Sequence, residues 1–282
     1  MRVISFINMK GGVGKTTLST NVAHCLAVHE KKKVLLIDID PQFNATQCFF
    51  SGDDYVKYME DGSDTVLDLF DGDVTRVSTV RGASHKSKKC YEEIKPYKIM
   101  DNLYILPGNL NLFKIEISAG SGKENRLKKY LDVVQQLLGF DYVIIDTPPT
   151  PSIWMTSALV ASNYYVIPVK PDPLSYTGVS LLQTIIDQKK EDLDLQLKFL
   201  GIILTMVEES TLVYKRCVET IKSTDNLKDY LFGNFIHKRT EIPKQQLSQS
   251  FILDLEKSEL SYNLVAIIKE MIKRIERYEE HK

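Results

Sequence analysis

Asn8-Met9-Lys10-Gly11-Gly12-Val13-Gly14-Lys15-Thr16-Thr17 is the stretch whose reading decides the fold. It follows the apolar-leaning run Val3-Ile4-Ser5-Phe6-Ile7 and precedes a helix-like segment from Thr16 to Val28. Strand, glycine-rich loop and helix in that order make a phosphate-binding P-loop. The backbone N–H groups of such a loop point into a concavity that suits a polyphosphate, with the positive end of the helix behind it. Lys15 is placed to reach the β- and γ-phosphates, and the Thr16 hydroxyl to take a coordination position on magnesium. Two residues depart from the general pattern. Met9 stands where the consensus has glycine, and a second lysine, Lys10, stands at the loop entrance.

Outward from the loop, β-rich apolar runs alternate with helical patterns. Strands are expected at 3–8, 33–38, 103–107, 142–146, 164–169 and 199–205, with 230–236 a weaker candidate. Helices are expected at about 125–138, 153–161, 175–189, 211–223 and 258–279. Near-continuous apolar strands between helices predict an α/β P-loop NTPase fold. Its sheet is mostly parallel and twisted, of about seven or eight strands, with helices on both faces. The chain reads as one domain over 1–282. Segment 52–101 is a less regular excursion with Asp/Gly-rich turns, a short helix around 65–70 and a basic stretch from Arg81 to Lys89.

The run Leu35-Leu36-Ile37-Asp38-Ile39-Asp40-Pro41-Gln42 puts two carboxylates, two residues apart, at the end of a buried strand. Side chains at i and i+2 of a strand share a face, so both approach one site. Two carboxylates beside a triphosphate are tolerable only with a cation or ordered donors between them, which implies magnesium. Tyr142-Val143-Ile144-Ile145-Asp146-Thr147-Pro148-Pro149 is a second apolar strand closed by an aspartate, the Walker B arrangement, with Asp146 placed to hold a magnesium-bound water.

Together these motifs resemble the ParA/MinD family of deviant Walker A ATPases. Lys10-Gly11-Gly12-Val13-Gly14-Lys15-Thr16-Thr17 matches the family's phosphate loop, and Asp38 to Thr46 is similar to the D-x-D-P-Q-x-N-A-T box of its ParA branch. Asn102–Asn109 looks like the N-L-x-L-L-P-S-N strand, 157–172 like A-L-x-A-A followed by I-P-V-x-P-E, and Gly201–Met206 like G-x-x-x-T-M. Ile236-His237-Lys238-Arg239 and Leu247–Ser250 depart from the I-P-R and E-A-P-S segments that help form the family's adenine pocket. The resemblance implies ATP and Mg2+ as cofactors, Asp38 in the magnesium sphere and Asp40 orienting and deprotonating the attacking water. It adds Met206 to the nucleotide contacts. It also implies that Lys10 crosses a homodimer interface to the partner's nucleotide, the logic of an arginine finger.

The resemblance further implies a DNA-partition ATPase whose ATP dimer binds DNA without sequence specificity. A ParB-like centromere-binding protein would then trigger hydrolysis and release. With the first strand starting at Val3, the short ParA type without an N-terminal helix-turn-helix is expected. Phosphate contacts would come from basic side chains on one face. The candidates are Lys215, Arg216 and Lys222 on one helix, Lys238, Arg239 and Lys244 nearby, and Lys269, Lys273, Arg274 and Arg277 near the C-terminus. The rival within the family is a membrane-positioning ATPase of the MinD kind. It would insert the apolar stripe Leu260, Leu264, Ile267, Ile268, Met271, Ile272 and Ile275 into lipid, although packing of that stripe on the core is the favoured expectation. A nitrogenase-type iron protein is set aside because neither Cys90 nor Cys217 follows a matching glycine-rich context.

Composition bounds the rest. An apolar fraction of 43% and a charged fraction of 26% in 282 residues are those of a soluble globular protein. A net charge of −1 offers no global attraction to DNA or an anionic membrane, so any such binding needs a local patch. The four cysteines, Cys25, Cys48, Cys90 and Cys217, form no C-x-x-C pair and read as isolated thiols. No apolar run approaches the roughly 18 residues that span a bilayer. A cytoplasmic, nucleoid-associated protein is expected, with no membrane partner.

Overall fold

The computed structural model describes residues 1–70, 89–117, 122–173, 175–242, 248–255 and 258–280. Seven strands make one sheet among these residues: β1 Arg2–Phe6, β2 Val34–Asp38, β3 Tyr97–Met100, β4 Leu103–Leu106, β5 Tyr142–Asp146, β6 Tyr164–Val169 and β7 Lys198–Leu204. Their order is β3-β4-β2-β5-β1-β6-β7, parallel except for β3 against β4. The expected doubly covered α/β sheet is present.

The period of two along each strand sorts side chains into two faces. Ile4, Phe6, Leu36 and Ile144 pack with α1 (Lys15–Val28) and with the C-terminal helix Glu259–Glu280. Leu35, Ile37, Val143 and Ile145 pack on the other face with the helices Arg126–Leu138 and Ile153–Ala161, where Tyr130 and Trp154 are fully buried. Helix α1 is enclosed on nearly every side, which is why it lacks an amphipathic pattern.

The C-terminal helix places Leu264, Ile267, Ile268, Met271 and Ile275 at 0–1% exposure. At roughly 2 kcal/mol per buried aliphatic side chain, that face contributes on the order of 10 kcal/mol as an upper bound. The stripe considered as a lipid face is therefore a core face. Among the described residues no helix is long and apolar enough to cross a membrane.

Three local expectations change. The segment 230–236 is not a strand: a 3-10 turn at Lys228–Tyr230 is followed by two isolated bridges, Ile202 with Leu231 and Val207 with His237. The segment still runs against β7: the Phe232 and Ile236 N–H groups donate to the Ile202 and Leu204 carbonyls at 2.9 Å, and Gly201 (φ 139) gives room for the Tyr230 carbonyl oxygen, which an added Cβ would meet at 2.1 Å. Gly52-Asp53-Asp54, expected as a turn, opens the helix Gly52–Glu60. Ser51 caps it by accepting from the Asp54 N–H, and the two aspartates suit its positive end. Finally, Tyr97–Met100 joins the sheet as its antiparallel edge, so the excursion is partly regular. Most of its basic stretch lies outside the described residues.

Candidate functional site

The candidate site lies at the carboxyl ends of the strands, where open α/β sheets hold ligands. Gly12 (φ 67) and Gly14 (φ 77) take left-handed conformations that let the loop turn into α1, and Thr205 Oγ1 donates to the Val13 carbonyl at 2.7 Å. At the entrance, the Asn8 amide donates to the Pro168 carbonyl and its Oδ1 accepts from Lys10 N–H. Lys15 Nζ donates to the Lys10 carbonyl at 3.2 Å. Burial lowers the Lys15 pKa, with Asp146 and Asp40 pulling it back up.

Register brings the acids together, since Asp38 and Asp146 are paired neighbours on β2 and β5. Asp146 accepts from Thr16 Oγ1 at 2.7 Å and from Ser19 Oγ at 2.9 Å. Asp38 accepts from the Thr46 N–H at 2.7 Å and its hydroxyl at 2.8 Å. Asp40 accepts from the Gln42 N–H at 2.9 Å. All three are 0–4% exposed. Burial pushes Asp38 and Asp146 above the usual carboxylate range; the neighbouring Asp146 adds to the shift at Asp38, and Asp40 adds to that at Asp146. Asp40 is raised by burial too, while the Gln42 N–H and Lys15 oppose the shift.

Three buried carboxylates face one buried lysine here. That is an excess of negative charge which a hard divalent cation, bound through carboxylate and hydroxyl oxygens, would relieve. The donor set fits magnesium, which Thr16, Asp38 and Asp146 would hold.

A cavity of about 750 Å3 opens over these groups, lined by Gly11 to Thr17, Asp40, Gln42, Asn44 and Met206 among others. Beyond Gly14 and Met206 it adjoins a mostly apolar pocket of about 560 Å3, walled by Thr205, Ile236 to Thr240, Ile242 and Ile252. A polar cavity beside a phosphate loop joined to an apolar slot has the shape of a nucleotide site. The departures at Ile236–Arg239 therefore line the wall of this slot.

Lys10 is half exposed at the rim, its ammonium paired with Asp172. Of the DNA candidates, Lys215, Arg216 and Lys222 are exposed on the helix Leu212–Ser223. Lys238 and Arg239 line the apolar pocket, paired with Glu208 at 2.6 Å and Glu259 at 3.0 Å, so carboxylates balance their charge locally. Lys244 lies outside the described residues. Arg274 is committed internally: its guanidinium donates to the carbonyls of Leu200, Tyr230 and Leu231 and to Glu270, and lies over the Phe232 ring. Lys269, Lys273 and Arg277 remain exposed on the same helix. His237 lies against Glu259 at 3.1 Å.

Sequence reasoning assigned no role to Ser19 and Thr46. Ser19 follows Thr16 by three residues on a helix, a spacing that puts both hydroxyls on one face. Thr46 was visible only as a motif letter.

A sequence profile described as an AAA domain matches residues 1–199. The sporulation initiation inhibitor protein Soj of Bacillus subtilis is 33% identical over 223 residues, which is 78% of this chain and 79% of that protein. The chromosome partitioning protein ParA of Myxococcus xanthus is 28% identical over 97% of this chain and 88% of its own length. A plasmid partition protein from Borrelia burgdorferi, solved with AMPPNP, shares the fold with a TM-score of 0.73 at 23% identity, over 97% of this chain and 98% of that one.

Proposed function

The chain belongs to the ParA/MinD family of P-loop ATPases, and from that premise we propose that it is a magnesium-dependent DNA-partition ATPase. One observation carries the hydrolytic reading. Lys15, Thr16 and Asp40 line one cavity at a glycine-rich loop, and beneath it Asp146 accepts from Thr16 with Asp38 as its register neighbour.

The loop N–H groups and Lys15 bind and orient the β- and γ-phosphates. Thr16, Asp38 and Asp146 would hold the cation, which when bound would supply charge to offset that of the phosphate oxygens. Asp40 orients the attacking water and takes its proton, a role worth about 10²–10⁴ in rate. Met206 and the 236–242 wall take the base. Lys10 leaves Asp172 and reaches across a face-to-face homodimer to the partner's phosphates, so that nucleotide and dimer form one switch.

The relatives named for partition support the second half of the proposal: the ATP dimer binds DNA through exposed lysines and arginines, and a ParB-like protein stimulates hydrolysis and releases it. Lys215, Arg216 and Lys222, with Lys269, Lys273 and Arg277, are the side chains available for phosphate contacts. This reading places the protein on the nucleoid. The test is ATPase activity measured with DNA alone, with the ParB-like protein alone, and with both. Stimulation that needs both supports partition. Hydrolysis indifferent to DNA, or DNA binding unchanged in high salt or without ATP, contradicts it.

A further inference from the structure

The loop between β2 and the short helix Asn44–Gln47 holds a bulky residue in a glycine-like conformation. Phe43 has φ 44 and ψ 38, in the left-handed region. An aromatic side chain there is uncommon and persists only where its surroundings over-determine it. Two contacts do so. The Phe43 ring stacks on Tyr55, with centroids 5.2 Å apart and planes 18° apart. Its Cβ also fills the space beside Gly108, where an added Cβ would sit 2.7 Å from it, 3.0 Å from Asp38 Cγ and 3.1 Å from the Asp38 carbonyl oxygen. Glycine at 108 is therefore required for room.

Hydrogen bonds tie these contacts to the site. The Tyr55 hydroxyl donates to the Gly108 carbonyl at 2.7 Å, and the Gly108 N–H donates to Thr46 Oγ1 at 2.8 Å. That same Thr46 hydroxyl donates to Asp38. In the other direction, the Phe43 N–H donates to the Asp40 carbonyl at 2.8 Å. One packed unit thus touches the backbone of the Asp40 loop and the group that grips Asp38.

We propose that Phe43 is a positioning residue for hydrolysis: with Gly108 it forms a reciprocal size pair, seated on Tyr55, that sets the placement of the Asp40 loop relative to Asp38. The proposal rests on the reading of Asp40 as the group that orients the attacking water. A displacement of about 1 Å at such a group is enough to lower a rate about 100-fold, while phosphate binding, set by the P-loop, is untouched.

The experiment measures magnesium-dependent ATP turnover, ATP affinity and thermal unfolding on the full chain for wild type, Gly108→Ala, Phe43→Gly, the double variant and Tyr55→Phe. Gly108→Ala is expected to lower kcat about 100-fold with ATP affinity kept within about threefold. Phe43→Gly accepts the backbone angle without strain but loses the stack, and is expected to lower kcat about tenfold. The double variant, relieved of the Phe43 contact but not of the closer approach to Asp38, should lose clearly less than the product of the two single losses, a non-additive outcome. Tyr55→Phe removes one oxygen and should lower kcat about threefold; it carries the test if Gly108→Ala does not fold.

Losses at 43 and 108 that simply multiply, or losses in turnover matched by equal losses in ATP affinity, would overturn the positioning role. Asp40→Ala separates the two levels. Wild-type turnover that does not depend on Asp40 defeats the reading of the site. Asp40-dependent turnover without coupling between 43 and 108 defeats only this inference.

Discussion

Replacing Asp146 by asparagine should make the metal-free, nucleotide-free protein more stable while removing its response to magnesium. Asp146 is fully buried, and burial together with Asp40 raises its pKa from 3.8 to about 6. A folded-state pKa above the unfolded one means that the native state binds the proton more tightly. Stability is then lost as pH rises from about 4 towards 6, and the loss is complete above about pH 7. At 1.36 kcal/mol for each tenfold change, the ionised carboxylate destabilises the native state by about 3 kcal/mol at neutral pH. Asparagine removes that charge but pairs less well with the Thr16 and Ser19 hydroxyls, a loss of about 1 kcal/mol. The expected net gain is about 2 kcal/mol, or roughly 4 °C in unfolding midpoint for a chain of this size. Thermal unfolding in chelator at pH 5.0 and pH 7.5 measures it. The variant's advantage should be about a third as large at the lower pH. Magnesium with nucleotide should raise the wild-type midpoint and leave the variant nearly unmoved. An asparagine variant less stable than wild type at pH 7.5 in chelator would refute the idea that these acids form a charge-strained cation site.

Three further outcomes follow from the same geometry. Asp40→Ala should bind ATP with near-normal affinity yet hydrolyse it about 10²–10⁴-fold more slowly, read by single-turnover kinetics beside a nucleotide titration. Lys10→Ala should keep monomer nucleotide binding but lose ATP-dependent dimerisation and hydrolysis; normal turnover by a monomeric variant would remove the in-trans role. Arg274→Met should cost about 3 kcal/mol in denaturant unfolding, because it leaves the Leu200, Tyr230 and Leu231 carbonyls without their donor and removes the charge partner of Glu270. A loss under about 0.5 kcal/mol would return Arg274 to the surface-charge class.

The parts of the fold legible in the sequence are those where one signal dominates. Tyr142–Asp146 is a five-residue apolar run ending in an acid, and it is a central strand with every residue buried. The edge strand Tyr97–Met100 carries no such run, being half exposed, and was missed. Phe232 and Ile236 misled in the opposite direction. They pack into the core shared with the C-terminal helix and donate to the Ile202 and Leu204 carbonyls at 2.9 Å, yet these contacts form isolated bridges and not a continuous ladder. In the site, Asp38, Asp40, Asp146 and Lys15 were legible because buried charge at a strand end or helix start has few structural uses. Ser19 and Thr46 were not, since hydroxyls on helices are common and only the three-dimensional register shows which acid they meet. Lys238, Arg239 and Arg274 look like any other basic residue in sequence; their partners Glu208, Glu259 and the Leu200, Tyr230 and Leu231 carbonyls lie far along the chain.

The central claim is that nucleotide state and dimer state are the same switch. Light-scattering mass measurement on Asp40→Ala, which holds ATP unhydrolysed, tests it most directly in the presence of Mg2+ with ATP or with ADP. The account predicts a dimer with ATP, a monomer with ADP, and retention on DNA by the dimer alone. An equal mass in both nucleotides would contradict it.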